Sequence, residues 1–293
     1  MKKKIDILQV VIYIIFILLC LSILVPFMIL LSASFTAEKD IVYNGFKVFP
    51  QTLSLDAYKY VFEKPKAIID AYKVTITYSF LGTLLSTLLM AMIAYPLSSP
   101  KMRYRKQLSF YLYFTMLFSG GLVPSYILIT QYLHLDDTIW AYILPCCINP
   151  WYVFMMRTFF TDLPYSLVES MKIDGASEYR VFFTLIVPLS KPIIATVALF
   201  VLLLRWNDWN TAMLYIDNQE LVSLQYLLQK LLRDTQFMAE NASTANVELD
   251  PGDVPTMTLQ MAMAMLATGP ALIFFPFFQK YFVKGMTVGS VKG

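Results

Sequence analysis

Between two long apolar stretches lies a polar run, Glu169-Ser170-Met171-Lys172-Ile173-Asp174-Gly175-Ala176-Ser177, leading to Val187-Pro188. Acids, bases and a glycine at this spacing do not make a catalytic set. They make a stiff surface element with one tight turn. Ser166 followed by Glu169 has the spacing of a capping box, so a helix is expected to start at Ser166 and run through Lys172. Asp174-Gly175 breaks it, with Asp174 able to cap the next helix and Gly175 free to take a positive φ. That second helix is expected from Ser177 to about Leu185, set off from the next apolar segment by Pro188 and Pro192. Leu167, Val168, Met171 and Ile173, then Val181, Phe182 and Leu185, supply apolar surface for the rest of the chain or for a partner.

A second polar group, Arg205-Trp206-Asn207-Asp208-Trp209, interrupts an apolar run. Ionisable groups at membrane depth are costly and face a bundle interior or a wet cavity. Arg205 lies about 20 Å along a helix from Pro192, and Asp208, three residues on, is placed to pair with it. Trp stacking on a pyranose ring, with Asn or Asp bonding hydroxyls, gives one reading, a sugar path. An outer aromatic belt with a structural ion pair gives the other. Asn149, Trp151 and Tyr152 form a lesser group of the same kind. His134, Asp136 and Asp137 read as a solvated turn, not a metal site. The three cysteines lie in apolar runs and imply neither a disulfide framework nor a metal. No phosphate-binding Gly-x-x-x-x-Gly-Lys-Ser/Thr occurs, so this chain is not expected to bind ATP by a P-loop. No nucleophile–base pair appears, and the basic residues flank apolar runs instead of forming a nucleic-acid patch.

The elements that must carry these groups are set by composition. The chain has 293 residues, 58% hydrophobic and only 15% charged, where a soluble domain carries about 25%. Apolar runs approach the ~20 residues needed to cross a bilayer. The expected fold is an all-α integral membrane protein of one domain, residues 1–293. Its six spans are expected at about 9–33, 75–97, 108–130, 139–160, 191–214 and 259–282, with the polar loop at 161–190. With the N-terminus inside, the inner segments hold 14 Lys/Arg and the outer ones 8. That is the positive-inside pattern with both termini cytoplasmic. Lys2–Lys4, an apolar run and Ser32-Ala33-Ser34 also resemble a secretory signal. The run from Val10 to Leu31 exceeds the roughly 7–15 residues of a signal core, which favours a retained anchor. Short helices are expected around Ser54–Phe62 and at Leu221–Leu231 in the outer loops, with Asn241–Pro255 as linker. Prolines in or near most spans suit a bundle that bends.

The residues 169–188 resemble the cytoplasmic loop of binding-protein-dependent ABC importer permeases. Its pattern is Glu-Ala-Ala, three residues, Gly, nine residues, then Ile-x-Leu-Pro. Glu169-Ser170-Met171, Gly175, Leu185, Val187 and Pro188 fall at those intervals. Asp174-Gly175-Ala176-Ser177 matches the form found in sugar importers, while Ser170 and Met171 stand where alanines are usual. Trp206-Asn207-Asp208-Trp209 and the tail from Gln279 to Gly293 resemble the same positions in MalG-type carbohydrate permeases, in particular the LplC/YtcP branch associated with oligosaccharide uptake. The resemblance covers the chain from the first span to its last residue.

It implies a permease subunit working by alternating access in a bacterial cell membrane. It implies ATPase coupling through Glu169, Ser170, Met171, Asp174, Gly175, Ala176 and Pro188, with Glu169 pairing with a base of the ATPase and Gly175 making the turn. It further implies a second homologous permease, an ATPase dimer that holds ATP and Mg, and an extracellular solute-binding protein. The substrate is carbohydrate, and this chain itself holds no cofactor. A secondary transporter would instead need coupling carboxylates deep in the spans, where Asp208 is the lone acid, and an intramembrane enzyme would need a catalytic pair.

Overall fold

Apolar runs without water to satisfy their peptide groups must close those bonds internally, and the chain is correspondingly helical. The computed structural model describes residues 7–63, 65–244 and 255–290, with side chains described up to Met238 and from Pro255 to Ile273. The helices are α1 Ile7–Ser34, α2 Glu38–Asn44, α3 Asp56–Val61, α4 Pro65–Ser98, α5 Arg105–Leu117, α6 Leu122–Ile127, α7 Trp140–Ile143, α8 Pro150–Thr161, α9 Tyr165–Ile173, α10 Glu178–Val181, α11 Val187–Leu189, α12 Lys191–Trp206, α13 Asn210–Tyr215, α14 Leu224–Thr244 and α15 Met257–Ser290. π-turns over Leu128–Tyr132 and Phe182–Ile186 extend α6 and join α10 to α11.

The expected spans are not six uniform rods. Among the described residues, Leu8–Ser34 and Pro65–Ser98 are each long and apolar enough to cross a membrane alone. The third expected span is α5 and α6, bent by 113° where Ser119-Gly120-Gly121 interrupts the helix. The fourth is broken between α7 and α8, where Pro145 and Pro150 remove backbone donors. The fifth divides into α12 and α13 at Asn207–Trp209. A bend of 82° at Ser190 separates the loop's second helical segment from α12. The tail 279–293 lies outside the described side chains, as does most of the expected linker 241–255.

The chain forms two compact units, one of residues 1–65 and 228–269, the other of 66–227 and 270–293. In the first, Phe35 stacks on Tyr58 with ring centroids 5.1 Å apart, and the Tyr58 hydroxyl donates to Ser34 Oγ at 3.0 Å. Glu38, 7% exposed, closes the unit. Its carboxylate accepts from Met257 N (2.8 Å), Thr258 N (2.8 Å), Thr258 Oγ1 (2.6 Å) and Thr256 Oγ1 (3.2 Å). The first N–H groups of a helix lack partners within it and carry partial positive charge, so a carboxylate there is doubly favoured. Glu38→Ala is expected to destabilise this unit by about 2–3 kcal/mol through the stranded donors, with Glu38→Gln intermediate. Thermal unfolding in detergent would measure it, and an unchanged Glu38→Ala midpoint would contradict the clamp.

The second unit has two packed regions. One gathers Met90, Ala94 and Leu97 of α4, Val153, Met156 and Phe160 of α8, Val197 and Val201 of α12, and Val168, Val181, Phe182 and Ile186 of the polar loop. The loop is therefore built into the core, not draped over it. The other gathers Tyr78, Ala141, Tyr142, Ile143, Cys147, Ala212 and Val222. The helices expected at Ser54–Phe62 and along the leucines after 221 are present as α3 and α14.

Candidate functional site

Loop 161–190 is a helix, one left-handed turn and a second helical segment. α9 starts one residue before the expected cap. Pro164 stands at the N-cap, with Leu167 N–H bonded to its carbonyl, and no side chain caps the helix. Ser166 already lies in the first turn, so the expected capping box does not form. At the other end, Gly175 has φ +80°. Gly175 N–H donates to Lys172 O (3.1 Å) and Ala176 N–H to Met171 O (2.9 Å). This pair of bonds is a Schellman closure, in which the glycine tolerates the left-handed backbone. A Cβ on Gly175 would meet nothing within 4 Å, so dihedral angle and not space demands glycine. Asp174 ends α9 and does not cap the next helix. Ser177 does that, its Oγ accepting Arg180 N–H at 3.3 Å.

The apolar residues of the loop divide by face. Val168, Val181 and Phe182 are buried, with Met171, Ala176 and Leu185 packed on the same core. Leu167 and Ile173 point away, Ile173 at 86% exposure, as does Tyr179 at 70%. Glu178 ties the pieces together, accepting from the Tyr95 hydroxyl at 2.8 Å and pairing with Lys172 Nζ. The Lys172 bond, supported by Tyr95, holds its carboxyl below the usual glutamate range despite partial burial. Glu169 pairs with Lys101 of the short turn after α4, Nζ to Oε1 2.9 Å, and Lys101 also sits over the Tyr165 ring at 5.3 Å. Glu169 raises the Lys101 pKa through that hydrogen bond and its charge. Lys101 was legible in sequence only as a basic flank; its partner is 68 residues away and carried no local signal. A groove of about 580 Å³ runs between this turn and the loop, lined in part by Tyr95, Lys101, Arg105, Tyr165 and Tyr179.

The second polar group is arranged differently from expectation. Arg205 is 4% exposed and makes no ion pair with Asp208. Its guanidinium donates to Tyr142 O (2.7 Å), Ile143 O (3.1 Å), Cys146 O (3.3 Å) and Ser86 Oγ (2.8 Å). The reason is the broken fourth span. α7 ends after four residues, leaving carbonyls without helical partners, and a cation at a helix C-terminus answers both their geometry and their charge. Gly82 makes room, since a Cβ there would lie 2.6 Å from Arg205 Nη1. The Tyr78 hydroxyl donates to Arg205 O at 3.0 Å and its ring stacks on Tyr142 at 4.3 Å. Asp208 Oδ1 accepts Thr211 N–H at 3.1 Å.

A cavity of about 700 Å³ opens beside this hub. Asn149, Tyr152, Asp208, Asn210 and Thr211 line it, with one edge of Arg205. Asn149 is also the N-cap of α8, accepting Trp151 N–H at 3.0 Å. The tryptophans do not join it. Trp206 is 1% exposed within the core, so it cannot stack on a sugar there, and Trp151 and Trp209 face outward at 61% and 40%. Asn207 caps α12, its Nδ2 donating to Leu203 O. Of the two sequence-predicted polar groups, the cavity draws two members from each, Arg205 and Asp208 from the first and Asn149 and Tyr152 from the second.

This arrangement defines a membrane-embedded helical subunit with a polar interior and a built-in surface loop. No family model matches the chain. It is 40% identical to protein LplC of Bacillus subtilis over 92% of this chain and 90% of that one. It is 38% identical to the polygalacturonan/rhamnogalacturonan transport system permease protein YtcP of the same organism, over 95% and 94%. Its fold matches the crystal structure of a bacterial ABC transporter involved in the import of the acidic polysaccharide alginate, with TM-score 0.79, 27% identity and coverage of 94% and 96%. The chain belongs to the permease subunits of ABC sugar importers. It is a transport component of the membrane and not an enzyme.

Proposed function

We propose that the chain is one half of the translocation pathway of an ATP-driven carbohydrate importer in a bacterial cytoplasmic membrane, and that loop 161–190 couples it to the ATPase. In this reading the whole chain acts as one six-span permease domain with both termini cytoplasmic. It works with a second, homologous permease, two ATPase subunits that bind ATP and Mg, and an extracellular solute-binding protein. The observation that carries the coupling role is the two-faced loop. One face is locked into the core by Val168, Val181 and Phe182, while Leu167, Glu169, Ile173 and Tyr179 stand exposed. A push on that face reaches α4, α8 and α12 because the loop shares their core.

Oligosaccharide is the proposed cargo, in line with the named relatives. The cavity beside Arg205 supports a carbohydrate path by its hydroxyl-bonding groups, Asn149, Tyr152, Asp208, Asn210 and Thr211. The two terminal nitrogens of its cation are engaged by three backbone carbonyls and Ser86, so this wall suits sugar hydroxyls more than the carboxylates of an acidic sugar. The first test is to tag the chain, extract it gently from native membranes and weigh what accompanies it. A second permease with two ATPase copies is the expected result. A homo-oligomer free of ATPase would overturn the proposal.

A further inference from the structure

We infer that Arg105 and Arg157, where α5 and α8 pack together, form a headgroup site for an anionic phospholipid. Arg105 opens α5 and Arg157 lies in the last turns of α8. One hydroxyl links them. Ser109 Oγ donates to Arg105 O at 2.6 Å and accepts from Arg157 Nη1 at 3.1 Å. That holds the Arg157 guanidinium against the first turn of α5. Arg105 and Ser109 lie one turn apart on the same face of α5. Among the described residues no carboxylate lies within ion-pair distance of either arginine, and Arg105 Nε is buried without an acceptor. Of the cations nearby, Lys101 and Lys172 each hold a glutamate.

Two half-buried guanidiniums, one bonded to that hydroxyl and the other carried one turn away on the same helix face, lack an anion. A phosphate diester supplies it, because guanidinium forks bind phosphate oxygens in pairs. The source is fixed by what adjoins the site. α5 buries none of its residues, and Phe110, Tyr111 and Phe114 are 45–68% exposed along it. Acyl chains lie against such a face once the headgroup is held at its end, and basic pockets between membrane helices take anionic headgroups in this way.

The test is native mass spectrometry of the full chain, in the complex with which it is extracted, titrated with phosphatidylglycerol or phosphatidylcholine in detergent. Phosphatidylglycerol is expected to bind about tenfold more tightly. The double variant Arg105→Gln/Arg157→Gln should bring it to the phosphatidylcholine level. Arg103→Gln, whose charge lies two residues before α5 begins, should leave the preference in place. Arg105→Lys/Arg157→Lys keeps the charge but loses the forks; it should fall between, and it serves if the Gln pair does not fold. Equal binding of both lipids, no loss in either double variant, or an equal loss in Arg103→Gln would overturn the site. Displacement of the lipid by millimolar inorganic phosphate would show a free-anion site and equally overturn the lipid assignment.

Discussion

Arg205→Met is expected to lower the melting midpoint of the detergent-solubilised protein by about 5–10 °C, the shift that about 2–4 kcal/mol produces in a domain of this size. The cost does not come from a broken ion pair, since there is none. It comes from the carbonyls of Tyr142, Ile143 and Cys146, which lose the guanidinium that donates to them, Ile143 O keeping only the Cys147 thiol. Removing a buried charge also returns its desolvation penalty, which keeps the net loss to a few kcal/mol. Arg205→Lys should recover part of it, because one ammonium cannot reach three carbonyls and Ser86 at once. Gly82→Val attacks the same hub from the other side by filling the space under the guanidinium, and should destabilise by about 1–3 kcal/mol. If Arg205→Met melted with the parent, the carbonyls would have other partners and the hub would not hold the broken span. Replacing Asp208 by Asn should leave the midpoint nearly unchanged, which separates this hub from the ion pair that the spacing of the two residues first suggests.

Glu169→Lys is expected to abolish substrate-stimulated ATPase activity in the assembled importer, a loss of at least tenfold, while leaving the permease folded. Folding should survive because the Lys101–Glu169 pair is solvent-exposed on both sides and contributes little. Glu169→Gln should lose less, having no repelling charge. The intramolecular pair makes a sharper experiment available. The swap Lys101→Glu/Glu169→Lys restores the contact within the chain but presents the wrong charge to an ATPase. Activity that stays lost in the swap assigns Glu169 to the partner. Activity that returns assigns it to Lys101, and the proposed docking charge would have to be sought elsewhere on the loop.

Local chemistry in this chain was legible and long-range chemistry was not. Gly175 declared its turn because a left-handed residue inside a polar helix break has few other solutions. The leucines of α14 declared a helix by their spacing. Ser166 misled because Pro164, two residues earlier, begins the helix without needing a donor, and so moves the cap. Arg205 and Asp208 have the spacing of an ion pair, yet the guanidinium goes to carbonyls some 60 residues away in sequence. Those carbonyls are free only because the fourth span breaks, and composition showed that segment as one apolar run. Trp206 looked like a sugar platform by residue type, but burial decides what an indole can touch.

The weakness of α7 has a consequence for how the protein is made. The helix Leu8–Ser34 carries no Asp, Glu, Lys or Arg, and among the described residues none of its most apolar stretch is buried. It can therefore partition into lipid as soon as it leaves the ribosome. The segment from Trp140 to Thr161 has no such independence. Its carbonyls are answered by a side chain at position 205, which lies in the next hydrophobic segment and so reaches the bilayer after it. Its membrane insertion must stay reversible, or be sheltered by the insertion machinery, until the fifth hydrophobic segment arrives with its arginine. In biosynthesis, an early part of the pathway thus waits on a later one.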